Sequence, residues 1–253
     1  MTDDGLPVTD RLSESRTLPR TIRIERRFCG PPDSGNGGYV CGRLARYVSG
    51  SSLVRLEGPP PLDADMQVTE SGSSFELAQG ATVVARARPA VMSLDIPVAP
   101  TLAEAEAASR SYRGFRSHPF PGCFVCGPER TAGDGLRIFA GPLRNGVVAC
   151  TWVPDASLGD GKGRVRTEFV WSALDCPGAF SFEFPDKMPV LLGEMAASQR
   201  LPLTVGDRYI VVGWELARDE RRHFTGTALF SESGECRALA RATWFVMPAP
   251  LQS

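Results

Sequence analysis

The first element follows from simple alternation. In Thr21–Phe28 (TIRIERRF), Ile22 and Ile24 alternate with charged neighbours, the two-residue period of a strand with one wet face. CGPPDSGNGG comes next, a loop by composition. From Gly38 the period lengthens: Val40, Leu44, Tyr47 and Val48 recur at helical spacing, so GYVCGRLARYV is predicted as a helix with Gly42 at a close contact. Strands are then predicted at Ser52–Glu57, Ala64–Thr69, Ser74–Ala78 and Thr82–Arg88, separated by turn signals such as Glu70-Ser71-Gly72 and Gln79-Gly80. One helix followed by antiparallel strands is an α+β pattern, the helix packed on one face of the sheet.

Residues 91–120 read as a connector. Ile96-Pro97-Val98-Ala99-Pro100 must be extended, and Thr101-Leu-Ala-Glu104 has capping-box spacing that opens a short helix to about Arg113, a spacer or brace. The pattern then repeats. Gly135–Ala140 and Val147–Val153 are expected strands, followed by the glycine-rich loop SLGDGKGR. A helix from Thr167 to Phe184 is next, then strands near Val190–Ser198, Tyr209–Ala217, Phe224–Ser231 and Arg237–Val246. Val84-Ala85-Arg86-Ala87 and Leu239-Ala240-Arg241-Ala242 sit at corresponding places in the two halves. The expected organisation is a duplicated fold: a disordered stretch over 1–19, first unit 20–90, connector 91–120, second unit 121–248.

Composition narrows the class. The 253 residues carry 28 basic and 29 acidic side chains, a balance that argues against nucleic acid or an anionic membrane as main partner. The polar, acidic start resembles neither a signal peptide nor an anchor. No run approaches the roughly 20 apolar residues that span a bilayer. Seven cysteines without a secretion signal are read as reduced thiols, and a cytoplasmic setting is expected. No Gly-x-Ser-x-Gly, P-loop or dinucleotide fingerprint occurs.

A strand, a loop, a long helix and antiparallel strands that wrap it is the hotdog order, and two copies make a double hotdog. Cys123-Phe-Val-Cys126-Gly127 with Gly135-Leu136-Arg137-Ile138 resembles the opening of acyl-CoA thioesterases of the PaaI-like hotdog group. In that group the helix begins at a "HGG" turn, and an acid follows nine residues after the histidine. Here Leu174-Asp175 matches the acid, but Arg166-Thr167-Glu168 stands at the turn. In the first half Asn36-Gly37-Gly38 resembles the turn, but Ala45 stands where the acid belongs.

The resemblance implies a tandem hotdog, with two antiparallel sheets each wrapping one long helix, and a pair of antiparallel helices that share their sites. One composite site is then expected between Asn36-Gly37-Gly38 and Asp175, and a degenerate one near Ala45 and Glu168. The substrate implied is an acyl-thioester, coenzyme A being part of the substrate and no cofactor or metal needed. A homodimer or homotrimer fits the habit of hotdog sheets to pair further. Free N–H groups at the helix start would polarise a thioester carbonyl. Asp175, its pKa raised by apolar surroundings, would activate water or attack directly. Arg164, Arg166, Thr167 and Trp171 are candidates for substrate binding, the arginines through a phosphate.

Each candidate also has a plain structural reading. Asn-Gly is a hairpin-turn signal. Asp175 can cap a second helical segment opening at Pro177. Arg164 and Arg166 suit a solvated turn, and Trp171 suits core packing. Cys123 and Cys126 have zinc-like spacing without a second pair, and His118 is nearby, so a structural loop touching the ligand is preferred. His223 is expected at the surface. The rival function is a non-catalytic hotdog that binds an acyl or polyketide-like ligand, or a tailoring enzyme acting on a carrier-bound thioester.

Overall fold

A computed structural model describes residues 18–184 and 188–247. The stretch expected to be disordered, 1–19, falls outside this range except for its last two residues. The strands are β1 Thr21–Arg23, β2 Ser52–Leu56, β3 Asp65–Ser71, β4 Ser74–Gln79, β5 Thr82–Pro89, β6 Gly141–Pro142, β7 Val147–Trp152, β8 Val190–Gln199, β9 Tyr209–Asp219, β10 Arg222–Ser231 and β11 Cys236–Val246. The helices are α1 Gly37–Ala45, α2 Leu102–Arg110, α3 Thr167–Ala173 and α4 Cys176–Phe180.

Where two sheets were expected there is one. Its order is β1-β3-β4-β5-β2-β8-β11-β10-β9-β7-β6, with every pairing antiparallel. The join is β2 on β8, with Ser52 opposite Ala197 and Val54 opposite Met195. The first strand after each long helix would otherwise be a bare edge, with unpaired N–H and C=O groups. Pairing the two edges satisfies both. Read outward from the join, the two sides match: β2, β5, β4, β3, β1 on one, β8, β11, β10, β9, β7 on the other. The repeated Ala-Arg-Ala phrases lie on β5 and β11, which are equivalent in this order.

Helices α1 and α3 cross antiparallel over one face of the sheet, the start of α1 against the end of α3. A Cβ on Gly42 would lie 2.6 Å from Glu168 Cα and 2.8 Å from Trp171 Cβ, so only glycine permits this approach. The main core fills the space beneath, with Phe28, Tyr39, Leu44, Phe124 and Phe169 among its members. The second half is covered on its other face as well. Ala105 and Ala108 of α2 pack on Ala149, Ile210, Val212 and Leu239, so the connector helix acts as a brace. Its capping box is formed from both sides, Thr101 with Glu104. No helix among the described residues is long and apolar enough to cross a membrane.

Three expectations need correction. The strand expected at Thr21–Phe28 stops at Arg23, and a short 3-10 turn over Arg26–Phe28 swings Phe28 into the core. Gly135–Ala140 is not a strand: Arg137 has a positive φ of 58°. The segment hydrogen-bonds instead to the cysteine loop, Leu136 N–H to Phe124 O and Ile138 N–H to Val125 O. The helix expected from Thr167 to Phe184 breaks at Leu174–Asp175, because Pro177 has no N–H for the turn before it. Thr227 Oγ1 donates to the freed Leu174 carbonyl at 2.8 Å.

Candidate active site

The break places Asp175 against the other helix. Asp175 sits at the N-cap position of α4, yet its side chain caps nothing there. Its Oδ2 accepts from Gly38 N–H at 3.1 Å and from Asn36 Nδ2 at 2.8 Å. The turn over Asn36-Gly37-Gly38 is thus a helix start and not a hairpin. Asn36 works from both ends of its amide, Oδ1 accepting from Tyr39 N–H at 2.9 Å while Nδ2 holds the acid. An aspartate could cap the helix but, ionised, has no hydrogen to give Asp175; the amide caps with its oxygen and donates with its nitrogen.

Space requires glycine at Gly38 and is tight at Gly37. A Cβ on Gly38 would stand 2.5 Å from Asp175 Cβ, and one on Gly37 would stand 2.9 Å from Leu192 Cδ2. As first residue of α1, Gly37 has an N–H with no acceptor inside the helix. It lines the same cavity as Asn36 and Asp175.

Asp175 is 2 % exposed, and its Oδ1 has no hydrogen-bond partner. Burial pushes its carboxyl from 3.8 up to about 7. The Gly38 N–H opposes the rise, Cys123 adds to it, and the Asn36 amide opposes it. The group therefore changes charge near neutrality.

The cavity beside it has a volume of about 510 Å³ and apolar walls, among them Leu56, Phe120, Phe180, Leu192, Trp244 and Phe245. These wall residues were not identified from sequence, since they come from five separate segments and carry no chemical signature of their own. Three thiols, Cys123, Cys126 and Cys176, also line it, with His118. Cys123 is held well below the ordinary thiol range by hydrogen bonds from Cys126 and Cys176. Burial pushes those two well above it.

The remaining candidates lie elsewhere. Arg164 ties down its own loop, with Nε donating to Asp160 Oδ2 at 2.9 Å. Arg166 lies over the Phe169 ring at 4.7 Å and donates to Ser157 O at 3.3 Å. Thr167 opens α3, and Trp171 is buried where α3 crosses Gly42. None of the four lines the cavity of Asp175. At the mirror position Ala45 ends α1, and Glu168 is buried in the first turn of α3. Glu168 Oε1 is 3.8 Å from Arg46 and 3.9 Å from Arg166, and its Oε2 is unpartnered. His223 is a correction: it is buried, stacked on Phe182 at 3.8 Å, with Nδ1 2.8 Å from Glu215.

Comparison with known proteins gives the fold. No family model matches the sequence, and no curated protein matches it. Solved structures do. A TesB protein of Mycobacterium avium subsp. paratuberculosis superposes with TM-score 0.56 at 14% identity, over 96% of this chain and 100% of the other. A protein assigned as a thioesterase II from Thermobifida fusca gives 0.58 at 13% identity, over 95% and 97%. A hot dog fold protein of unknown function from Alicyclobacillus acidocaldarius gives 0.56 at 9% identity, over 94% and 98%. The chain has a hotdog fold.

Proposed function

We propose that this chain is a double hotdog that hydrolyses an acyl-thioester, with acyl-CoA as first candidate, at one composite site between its halves. The observation that carries this reading is the pairing of Asp175 with the start of α1 at the wall of an apolar cavity. Each half supplies what the other lacks. In this reading the acyl group occupies the cavity, and its carbonyl oxygen faces the Gly37 N–H and the positive end of α1. Asp175, ionised above about pH 7, takes a proton from water through its unpartnered Oδ1 as the water oxygen attacks the carbonyl carbon. The tetrahedral oxyanion then collapses, the C–S bond breaks, and the leaving thiolate takes up the proton. The products are a carboxylic acid and a free thiol.

The PaaI-like likeness of the cysteine and Gly-Leu-Arg motifs supports coenzyme A as the carrier. No arginine or lysine lines the cavity among the described residues, so the carrier's phosphates would be held outside it. A cytoplasmic setting and a dimer or trimer of this chain belong to the same reading.

The test is direct. The pure protein is incubated with a panel of acyl-CoAs of different length and a thiol reagent. Thiol release that vanishes in Asp175→Ala supports the mechanism, and no release above background with any member sinks it. One observation favours a binding role instead: the Gly38 N–H and the Asn36 amide, both natural donors to a substrate, are already spent on Asp175. In that case an acyl ligand would co-purify and survive unhydrolysed.

A further inference from the structure

Three segments bring three thiols and an imidazole to one point beside the carboxyl of Asp175. Cys123 and Cys126 come from a tight loop, Cys176 from the first position of α4, and His118 from the connector. The sulfurs of Cys123, Cys126 and Cys176 all lie within 4.8 Å of one another, and Cys123 Sγ is 4.0 Å from Cys176 Sγ. Bound to one zinc ion at about 2.3 Å in a tetrahedral site, two thiolates stand about 3.8 Å apart. The three thiols therefore need shifts of only a few tenths of an ångström to about 1 Å to close on one ion.

The surroundings are built to hold them in place. Gly127 N–H donates to Cys123 O at 2.9 Å, closing the loop, and a Cβ at Gly127 would strike Pro121 O at 2.4 Å. Phe124 N–H bonds Cys29 O, and Leu136 and Ile138 donate to Phe124 O and Val125 O. Tyr112 Oη donates to Cys126 O at 3.1 Å. The loop is thus fixed by partners from four directions. Polar hydrogens also point at the sulfurs. His118 Nδ1 accepts from Phe120 N–H at 2.9 Å, which leaves Nε2 as the protonated nitrogen, 3.3 Å from Cys126 Sγ. Asn36 Nδ2 is 3.9 Å from Cys123 Sγ. Such N–H groups stabilise metal-bound thiolates from the second layer.

We infer that Cys123, Cys126 and Cys176 form a three-thiolate zinc site, with His118 as hydrogen-bond donor to Cys126 and the fourth position turned toward the cavity that the three sulfurs line. Loading is balanced by protons: Zn²⁺ and three thiols give a tris-thiolate complex of charge −1 and release three protons, fewer where a thiol is already ionised. The ion would clamp the cysteine loop to the first residue after Asp175, fixing the helix break on which the position of that carboxyl depends. This site stands whether or not the protein hydrolyses thioesters. Zinc-like spacing alone pointed to a pair, and the third ligand lies 53 residues from Cys123 in sequence.

The whole protein, purified in reductant and stripped with a chelator, is titrated with Zn²⁺ against a chromophoric chelator, and then with Co²⁺ as a spectroscopic substitute. One equivalent of zinc bound, a sulfur-to-cobalt charge-transfer band of three-thiolate strength, and a rise of several degrees in Tm on zinc addition are expected. Cys176→Ser weakens zinc at least ten-fold and removes about a third of the band. Cys236→Ser, half-buried and outside the group, changes neither. Failure of the reduced wild-type protein to hold one equivalent overturns the inference without reference to any variant. An equivalent that Cys176→Ser and Cys123→Ser bind as well as wild type overturns it too.

Discussion

Asp175 Oδ2 lies 3.1 Å from the backbone nitrogen of Gly38, across 137 residues of chain. Asp175 is free to face α1 because Pro177 breaks the helix behind it, and Gly38 can receive it because it has no Cβ. A carboxyl so placed, in a buried and mostly apolar wall, would be costly as a charge without those two donors.

Asp175→Asn keeps the shape of this contact. The amide oxygen can accept from Gly38 and Asn36, and the NH₂ takes the place of unpartnered Oδ1. Thioester turnover is expected to fall by about 10²–10⁴-fold. The fold should survive, as circular dichroism and a melting curve of the variant would show. Turnover within two-fold of wild type would remove Asp175 from the chemistry.

The same substitution separates two effects of pH. Turnover by an ionised Asp175 rises with pH to a half-maximum near 7. Stability moves the other way. The folded protein keeps a proton on this group up to about 7, whereas the unfolded chain loses it near 3.8. The folded state therefore binds more protons through that window, and stability declines as pH rises across it and levels off above about 7. The decline attributable to Asp175 is at most about 4 kcal/mol. Asp175→Asn should flatten that slope, so its Tm exceeds wild type at pH 8 and matches it more closely at pH 5. Parallel slopes in the two proteins would show that the carboxyl is not buried in solution as described.

Much of this was legible in the sequence, for identifiable reasons. Periodicity found the helix from Gly38 and every long strand of the second half, because amphipathic elements on one sheet face must repeat at 2 or 3.6 residues. The asymmetry of Asn36-Gly37-Gly38 against Ala45, and of Asp175 against Glu168, was visible as residues, but only the hotdog resemblance made it an expectation that the two parts would meet; Asn36 and Gly38 do hydrogen-bond Asp175. The fusion of the two sheets was not, since β2 and β8 look the same as paired or bare edges. Nor was the cavity wall, whose Phe120, Leu192 and Phe245 meet only after folding. His223 was misplaced because its partners, Phe182 and Glu215, come from other elements. Arg164 and Arg166 could be read from their loop as phosphate ligands or as a solvated turn, and their contacts with Asp160 and Phe169 are those of the turn.

Glycines at the helix crossing give a prediction with its own control. Gly38→Ala forces a methyl to within 2.5 Å of Asp175 Cβ, and Gly42→Ala brings one 2.6 Å from Glu168 Cα. Each should cost about 1–3 kcal/mol by overpacking. Gly38→Ala should also abolish turnover, since it displaces the acid itself. Gly161→Ala meets nothing within 4 Å and should stay within about 0.5 kcal/mol of wild type. Denaturant melts of the three variants decide this, and equal stability throughout would refute the close crossing.

Asn36 offers the sharpest test, because its donor to Asp175 can be removed with or without its cap on Tyr39 N–H. Asn36→Ala loses both the cap on Tyr39 N–H and the donor to Asp175. The cap contributes about 1 kcal/mol, and a buried carboxylate left with one donor fewer adds a further penalty of about 1–3 kcal/mol. Asn36→Asp keeps the cap but sets a second carboxyl where Nδ2 now lies, 2.8 Å from Asp175 Oδ2. Two carboxyls so close cannot both ionise readily, so the pair holds a proton to higher pH. The alkaline-going limb of the pH–rate profile should then move above 7 by a unit or more, with turnover partly recovered at high pH. Asn36→Ala shows a smaller shift in the same direction, since it removes one stabilising donor without adding charge. A pH–rate profile of Asn36→Asp that coincides with wild type would mean that the amide and the acid do not act together, and the composite site would fail with it.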